Sequence, residues 1–119
     1  MGFVQKREIK FRDYDFDTKK VRHFNLDSYD KNEHDSYGNI TEFTGIKDSQ
    51  DIEIFEGDIM QDRFGAISKV VYVDEQCRFM QLSKVGYSPL SAESVINDKD
   101  KVIGNIYENP DLLPNITIQ

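Results

Sequence analysis

The chain has 119 residues, 38% of them hydrophobic and 31% charged, with a formal net charge of −7 and a single cysteine. That length fits one domain. The lone Cys77 excludes an internal disulfide, and no apolar stretch approaches the ~20 residues of a membrane span. The acidic balance argues against a general grip on duplex nucleic acid, which requires clustered Lys and Arg to neutralise phosphates.

The opening "MGFVQKREIKFRDYD" has no continuous apolar signal core, so the expected location is cytoplasmic. Charge is unevenly spread. Residues 1–24 hold seven Lys or Arg against four acids, whereas the remainder holds eight against eighteen. Lys6, Arg7, Lys10 and Arg12 thus form a basic N-terminal segment, read either as a local nucleic-acid contact or as the solvated face of one strand.

Short strands, not helices, are the recurring pattern. "REIKFR" alternates Ile9 and Phe11 against Lys10 and Arg12, the period of a half-buried strand. The alternation slips at Tyr14 and Phe16, which predicts a bulge or turn near Asp13. "DFDT" reads as a hairpin turn and "TKKVRHF" as the return strand. Residues 25–39, "NLDSYDKNEHDSYGN", read as a long polar surface loop. "ITEFTGI" resumes an extended pattern, followed by the turn "KDSQD" and the strand "IEIF".

Glu56-Gly57-Asp58 reads as a tight turn in which Gly57 supplies a positive φ. "DIMQDR", "AISKVVYV" and "CRFMQL" then predict a three-stranded meander joined by short turns. Its strong bending suits a small closed barrel, with Cys77 as a small apolar strand residue. "PLSAESVIN" predicts one or two helical turns capped by Ser91. The closing "KVIGNIYENPDLLPN" reads as a strand buried on both sides. Gly104 there allows a bend or a close backbone approach, and Asn109-Pro110 starts a short helical turn. Leu112 and Leu113 are expected to fold back as a plug. The expected core is Ile9, Phe11, Phe43, Ile46, Ile54, Ile59, Ile67, Val71, Phe79, Val102, Ile103 and Ile106.

Three passages carry a likeness to a known family. "REIKFRDYD" (7–15), "FTGIKDSQDIEIFEGDIM" (43–60) and above all "VIGNIYENPDLL" (102–113) resemble the motifs of the YopX family of phage and prophage proteins, with similar spacing between them. Asp13 and Tyr14 replace the family's Ala and Trp, and "DSQDIEI" lacks the usual Asn-Gly, which is expected to loosen that hairpin. The resemblance implies one YopX-like domain over residues 1–119. It implies a mostly β fold with a small SH3-like barrel, an extended N-terminal β segment and little helix. It implies no catalytic residues and no cofactor.

Asp30, Asn32 and His34 are spaced like the start of a calcium loop, but its sixth position is Asp35 and its twelfth Thr41, where Gly and a bidentate Glu are needed. No zinc spacing, serine elbow or glycine-rich phosphate loop is present. Glu56 and Asp58 flank a turn, where binding backbone N–H groups is the expected role rather than general base catalysis. The glycine-turn strands "EGDIM…FGAISKVV" resemble those of RNA-contacting barrels, yet their loops carry Asp62, Asp74 and Glu75 beside Arg63 and Lys69.

The expected function is therefore non-enzymatic: an accessory protein that binds another protein, in the host cytoplasm if phage-encoded. Acidic loops, Tyr29 and Tyr37 favour a protein partner. The tail 114–119 is read either as a strand for edge addition or as an unstructured end. Self-association stays open, and a nucleic-acid regulator using the basic segment is the alternative.

Overall fold

The computed structural model describes residues 8–29 and 39–113. Strands take up 51% of these residues and helical turns 13%, so the mostly β class holds. In chain order, β1 (Lys10–Asp15), β2 (Lys20–Asn25), β3 (Ile40–Lys47) and β4 (Glu53–Phe55) form a four-stranded antiparallel sheet in the order β2-β1-β3-β4. Then β5 (Asp58–Gln61), β6 (Ile67–Val73), β7 (Arg78–Ser83), β8 (Gly86–Pro89) and β9 (Lys101–Asn105) form a five-stranded antiparallel sheet, β8-β7-β6-β5-β9. The helix α1 (Ala92–Asp98) connects β8 to β9. The meander is the expected one. The expected closure into a barrel is not found among the described strand pairings, which leave two open sheets.

Strand β4 is the seam, because successive side chains of a strand point to opposite faces. Ile54 joins the aliphatic core with Met60, Val70, Leu90 and Val95, against which Ile46, Phe79 and Val102 pack. Its neighbour Phe55 faces the aromatic side, with ring centroids 5.6 Å from Phe43 and 5.4 Å from His23. Ser91 caps α1 as expected. Its hydroxyl accepts from the Ser94 N–H, and Ser94 Oγ accepts in return from the Ser91 N–H.

Several local expectations need correction. The β1–β2 register runs unbroken from Lys10 opposite Asn25 to Asp15 opposite Lys20, so no bulge sits at Asp13. The alternation fails because Arg12, Asp13 and Tyr14 are all buried, leaving β1 covered on both faces. The register shifts instead in β3, where Gly45 has φ +87°, and between Ile59 and Met60 opposite β9. Ile9 is 42% exposed and leaves the core, while in β6 Val70 is buried and Ile67 and Val71 are only half-buried. Cys77 is not a strand residue. It is exposed at φ +51°, closing the Asp74–Gln76 turn with its N–H on the Asp74 carbonyl. Pro110 does start a short helical turn, but Leu112 is 40% exposed and plugs nothing.

The β3–β4 hairpin is tight despite lacking Asn-Gly. Asp48 Oδ1 accepts from the N–H groups of Gln50 and Ile52 at 2.8 and 2.9 Å, and Asp51 takes the left-handed conformation at φ +67°. Lys6, Arg7, the calcium-like triplet Asp30, Asn32 and His34, Tyr37, most of the 25–39 loop and the tail 114–119 lie outside the described residues.

Candidate functional site: a closed junction and an open cationic cleft

The turn Glu56-Gly57-Asp58 is where the two sheets meet. The Glu56 N–H donates to Glu42 in β3, the Gly57 N–H donates to Val70 in β6, and the Gly57 carbonyl accepts from Ile106 after β9. Three strands therefore converge on one turn, and Gly57, at φ +89°, takes the backbone through it. Asp58 is almost wholly buried. Its Oδ2 accepts from the Phe55 N–H at 2.8 Å, as the sequence led us to expect. Its Oδ1 lies 2.5 Å from Nη2 of Arg12 in β1, an ion pair that joins the two sheets. The Arg12 guanidinium also rests over the Phe55 ring, 4.8 Å from its centroid. Burial pushes the Asp58 carboxyl above its ordinary range, opposed by the Arg12 charge and the Phe55 N–H.

Of the basic N-terminal segment, Lys10 and Arg12 lie among the described residues, and both are ion-paired within the protein. Lys10 Nζ lies 2.5 Å from Glu53 and 2.8 Å from Glu8, and Arg12 is held by Asp58. Fully buried Asp13 pairs with Nε of Arg22 at 3.3 Å. The sequence does not reveal the pairs Lys10–Glu53, Arg12–Asp58 and Asp13–Arg22, because each joins residues from different strands.

The closing motif is a second part of the junction. Asn105 Oδ1 accepts from the N–H groups of Tyr107 and Glu108, its Nδ2 donates to Glu108, and the Asn105 N–H donates to Asn109 Oδ1. A Cβ on Gly104 would sit 2.5 Å from that same Asn109 Oδ1, so glycine is required by close approach. Tyr107 stacks on Tyr14 of β1 at 5.7 Å, a further tie between the sheets. Asp48 Oδ2 accepts from the Val102 N–H at 2.8 Å, which fastens the β3–β4 turn to β9. Gln81 donates to Ser68 and to Asp100, whose carboxyl is pushed up by burial. The motif acids and amides thus bind backbone or each other.

A cleft of about 660 Å3 opens at the other end of the five-stranded sheet. The β5–β6 turn forms one wall: Asp62 Oδ1 accepts from the Phe64 and Ala66 N–H groups, and Gly65 takes φ +86°. The end of α1 and the start of β9 form the other, and the Arg63 N–H donates to the Asp98 carbonyl across the gap. Arg63, Lys99 and Lys101 line the cleft with Asp62 as its one carboxylate, and Ser49 and Gln50 from the β3–β4 turn complete the rim. Nothing in the sequence flags this cleft, since Arg63 lies far along the chain from Lys99 and Lys101, and all three are interspersed with acids. Among the described residues no group of three His, Cys, Asp or Glu side chains is placed to hold a metal ion.

Two antiparallel sheets fastened at one glycine turn, with the closing motif folded onto that turn, define the class of protein. The chain belongs to the YopX family: the family pattern described as "YopX protein" matches residues 2–114. The crystal structure of protein EF1440 from Enterococcus faecalis has a similar fold. It superimposes with a TM-score of 0.67 at 24% sequence identity, over 92% of this chain and 100% of that one. No curated protein matches the sequence. Among the described residues no helix is long and apolar enough to cross a membrane.

Proposed function

We propose that this protein is a non-enzymatic binding module, a phage or prophage accessory protein that acts in the host cytoplasm by contacting another protein. One observation carries the reading: the buried polar side chains of the three family motifs, Arg12, Asp13, Asp48, Asp58 and Asn105, are all engaged within the protein. Arg12, Asp48 and Asp58 fasten strands together, Asn105 and Asn109 close the turn after β9, and the Arg12 ion pair stands where a free carboxylate would be needed for acid–base chemistry. What remains to act on other molecules is the outer surface. The net charge of −7 favours a protein over a polyanion as the counterpart. The alternative, a nucleic-acid contact through the basic segment, loses support because Lys10 and Arg12 are already ion-paired.

Affinity capture from a bacterial host lysate with the tagged chain tests this. The expected result is repeated recovery of one protein at low and moderate salt, unaffected by nuclease. Recovery of no protein, or recovery abolished by nuclease, would overturn it.

A further inference from the structure

The geometry points to the cleft between the β5–β6 turn, the end of α1 and the start of β9 as the docking site for an acidic segment of the partner protein, one that carries an apolar anchor residue. This rests on the protein-binding reading above and gives it a place and a chemistry. Beyond residue 24 the chain has only eight Lys or Arg among eighteen acids, yet three of the eight line this one cleft. Arg63, Lys99 and Lys101 make no ion pair among the described residues, whereas Lys10, Arg12, Arg22 and Lys47 do. Asp62, whose Oδ1 is held by two backbone N–H groups of the turn, offsets one of the three charges, and the lining keeps a net charge of +2. The cleft is therefore a local positive site on an acidic protein.

Its apolar content gives the second half of the recognition. Ile96 in the lining is 68% exposed, and Phe64, on the β5–β6 turn beside the cleft and not part of its lining, is 76% exposed, with the Arg63 guanidinium 4.7 Å from its ring centroid. An exposed aliphatic and an exposed ring beside three cations complement a segment in which acids flank an apolar side chain. The acids give long-range attraction and orientation, and the anchor gives desolvated contact area. A nucleic acid strand is disfavoured, since its phosphates run on past the cleft and meet the acidic remainder of the surface.

The probe is a short fluorescein-labelled peptide in which Glu and Asp flank a Leu-Phe pair, followed by fluorescence anisotropy. The parent chain is expected to bind it, more weakly as salt rises. The triple variant Arg63→Gln, Lys99→Gln, Lys101→Gln should bind about tenfold or more weakly. All three side chains are exposed, so the variant should keep the parent's melting temperature. A control triple at other exposed cations, Lys20→Gln, Arg78→Gln and Lys84→Gln, should bind as the parent does, while Ile96→Asn should weaken binding.

No binding by the parent chain, equal loss in both triples, or equally tight binding of single-stranded DNA would each overturn the assignment. So would a dimer that the cleft triple dissolves, which would place a second copy in the cleft. Lysate capture separates this failure from that of the broader reading. A partner still captured by the cleft triple removes the cleft and leaves the binding module standing, whereas a parent chain that captures nothing removes both.

Discussion

The two sheets are held by different physics. In the four-stranded sheet, rings and charges dominate: Phe11 stacks on Phe24 at 5.5 Å, Tyr14 meets Phe16 edge-on at 4.8 Å, and ion pairs join Lys10 to Glu53 and Asp13 to Arg22. In the five-stranded sheet and α1 the core is aliphatic, built on Met60, Val70, Leu90 and Val95. Aliphatic packing has no preferred direction and tolerates local adjustment, while a buried charge is stable only with its partner in place. The N-terminal sheet should therefore respond sharply to loss of one pairing group, and the C-terminal sheet more gradually to loss of volume.

The largest effect should come from Asp58→Ala, which strands Arg12 in a buried site and removes the acceptor for the Phe55 N–H. Breaking a buried pair by deleting one member costs about 3–5 kcal/mol, measurable by denaturant titration. Hydrogen exchange would sharpen the contrast. Amides of β1 and β2 should lose protection while those of β6 and β7 keep theirs. Equal loss in both would mean that the sheets melt as one unit and that the contrast has no energetic content.

Next, Ile54→Ala at the seam should cost about 2–5 kcal/mol by leaving a cavity in the aliphatic core. Here protection should fall in β5, β6 and α1 first. Preferential loosening of β1 and β2 would reverse the proposed division.

Gly104→Ala should cost about 1–3 kcal/mol, because the new Cβ meets the Asn109 side chain. Adding Asn109→Ala to the same chain removes the obstructing atoms, so part of the stability should return. A double variant no more stable than Gly104→Ala would show that the strain lies in the backbone.

The smallest change is expected from Glu56→Gln. Burial, then the charges of Glu42 and Asp74, raise the Glu56 carboxyl above 4.5. On unfolding the group returns to its ordinary value, so ionisation in the folded state costs stability once pH exceeds that value. The variant should be slightly more stable than the parent at neutral pH, with the advantage fading as pH falls through the raised folded-state pKa and gone below 4.5. An advantage that persists in acid would assign the effect to packing instead.

These same contrasts explain what could be read in advance. The meander from β5 to β7, the short helix and the glycine turn at residue 57 were legible, because each depends on neighbours a few residues away; at Gly104 the close approach is made by the Asn109 side chain and not by backbone. Burial in β1 was misread because an alternation rule assumes one wet face, and Arg12 and Asp13 gain their burial from Asp58 and Arg22, which the period of β1 cannot reveal. Cys77 was misplaced for a similar reason: a polar turn upstream took it as its left-handed closing residue. The cleft was illegible, since Arg63 joins Lys99 and Lys101 only when α1 returns the chain to the edge of β5.

The amino-acid sequence by itself determined the mostly β class, the family and the positions of the turns, because hydrophobic period and glycine or capping chemistry act over a few bonds. Tertiary structure alone decided that the strands form two open sheets, which charges are buried in pairs, and which remain outside to meet a partner. Those outcomes depend on side chains that lie tens of residues apart along the chain, and no local pattern encodes their meeting.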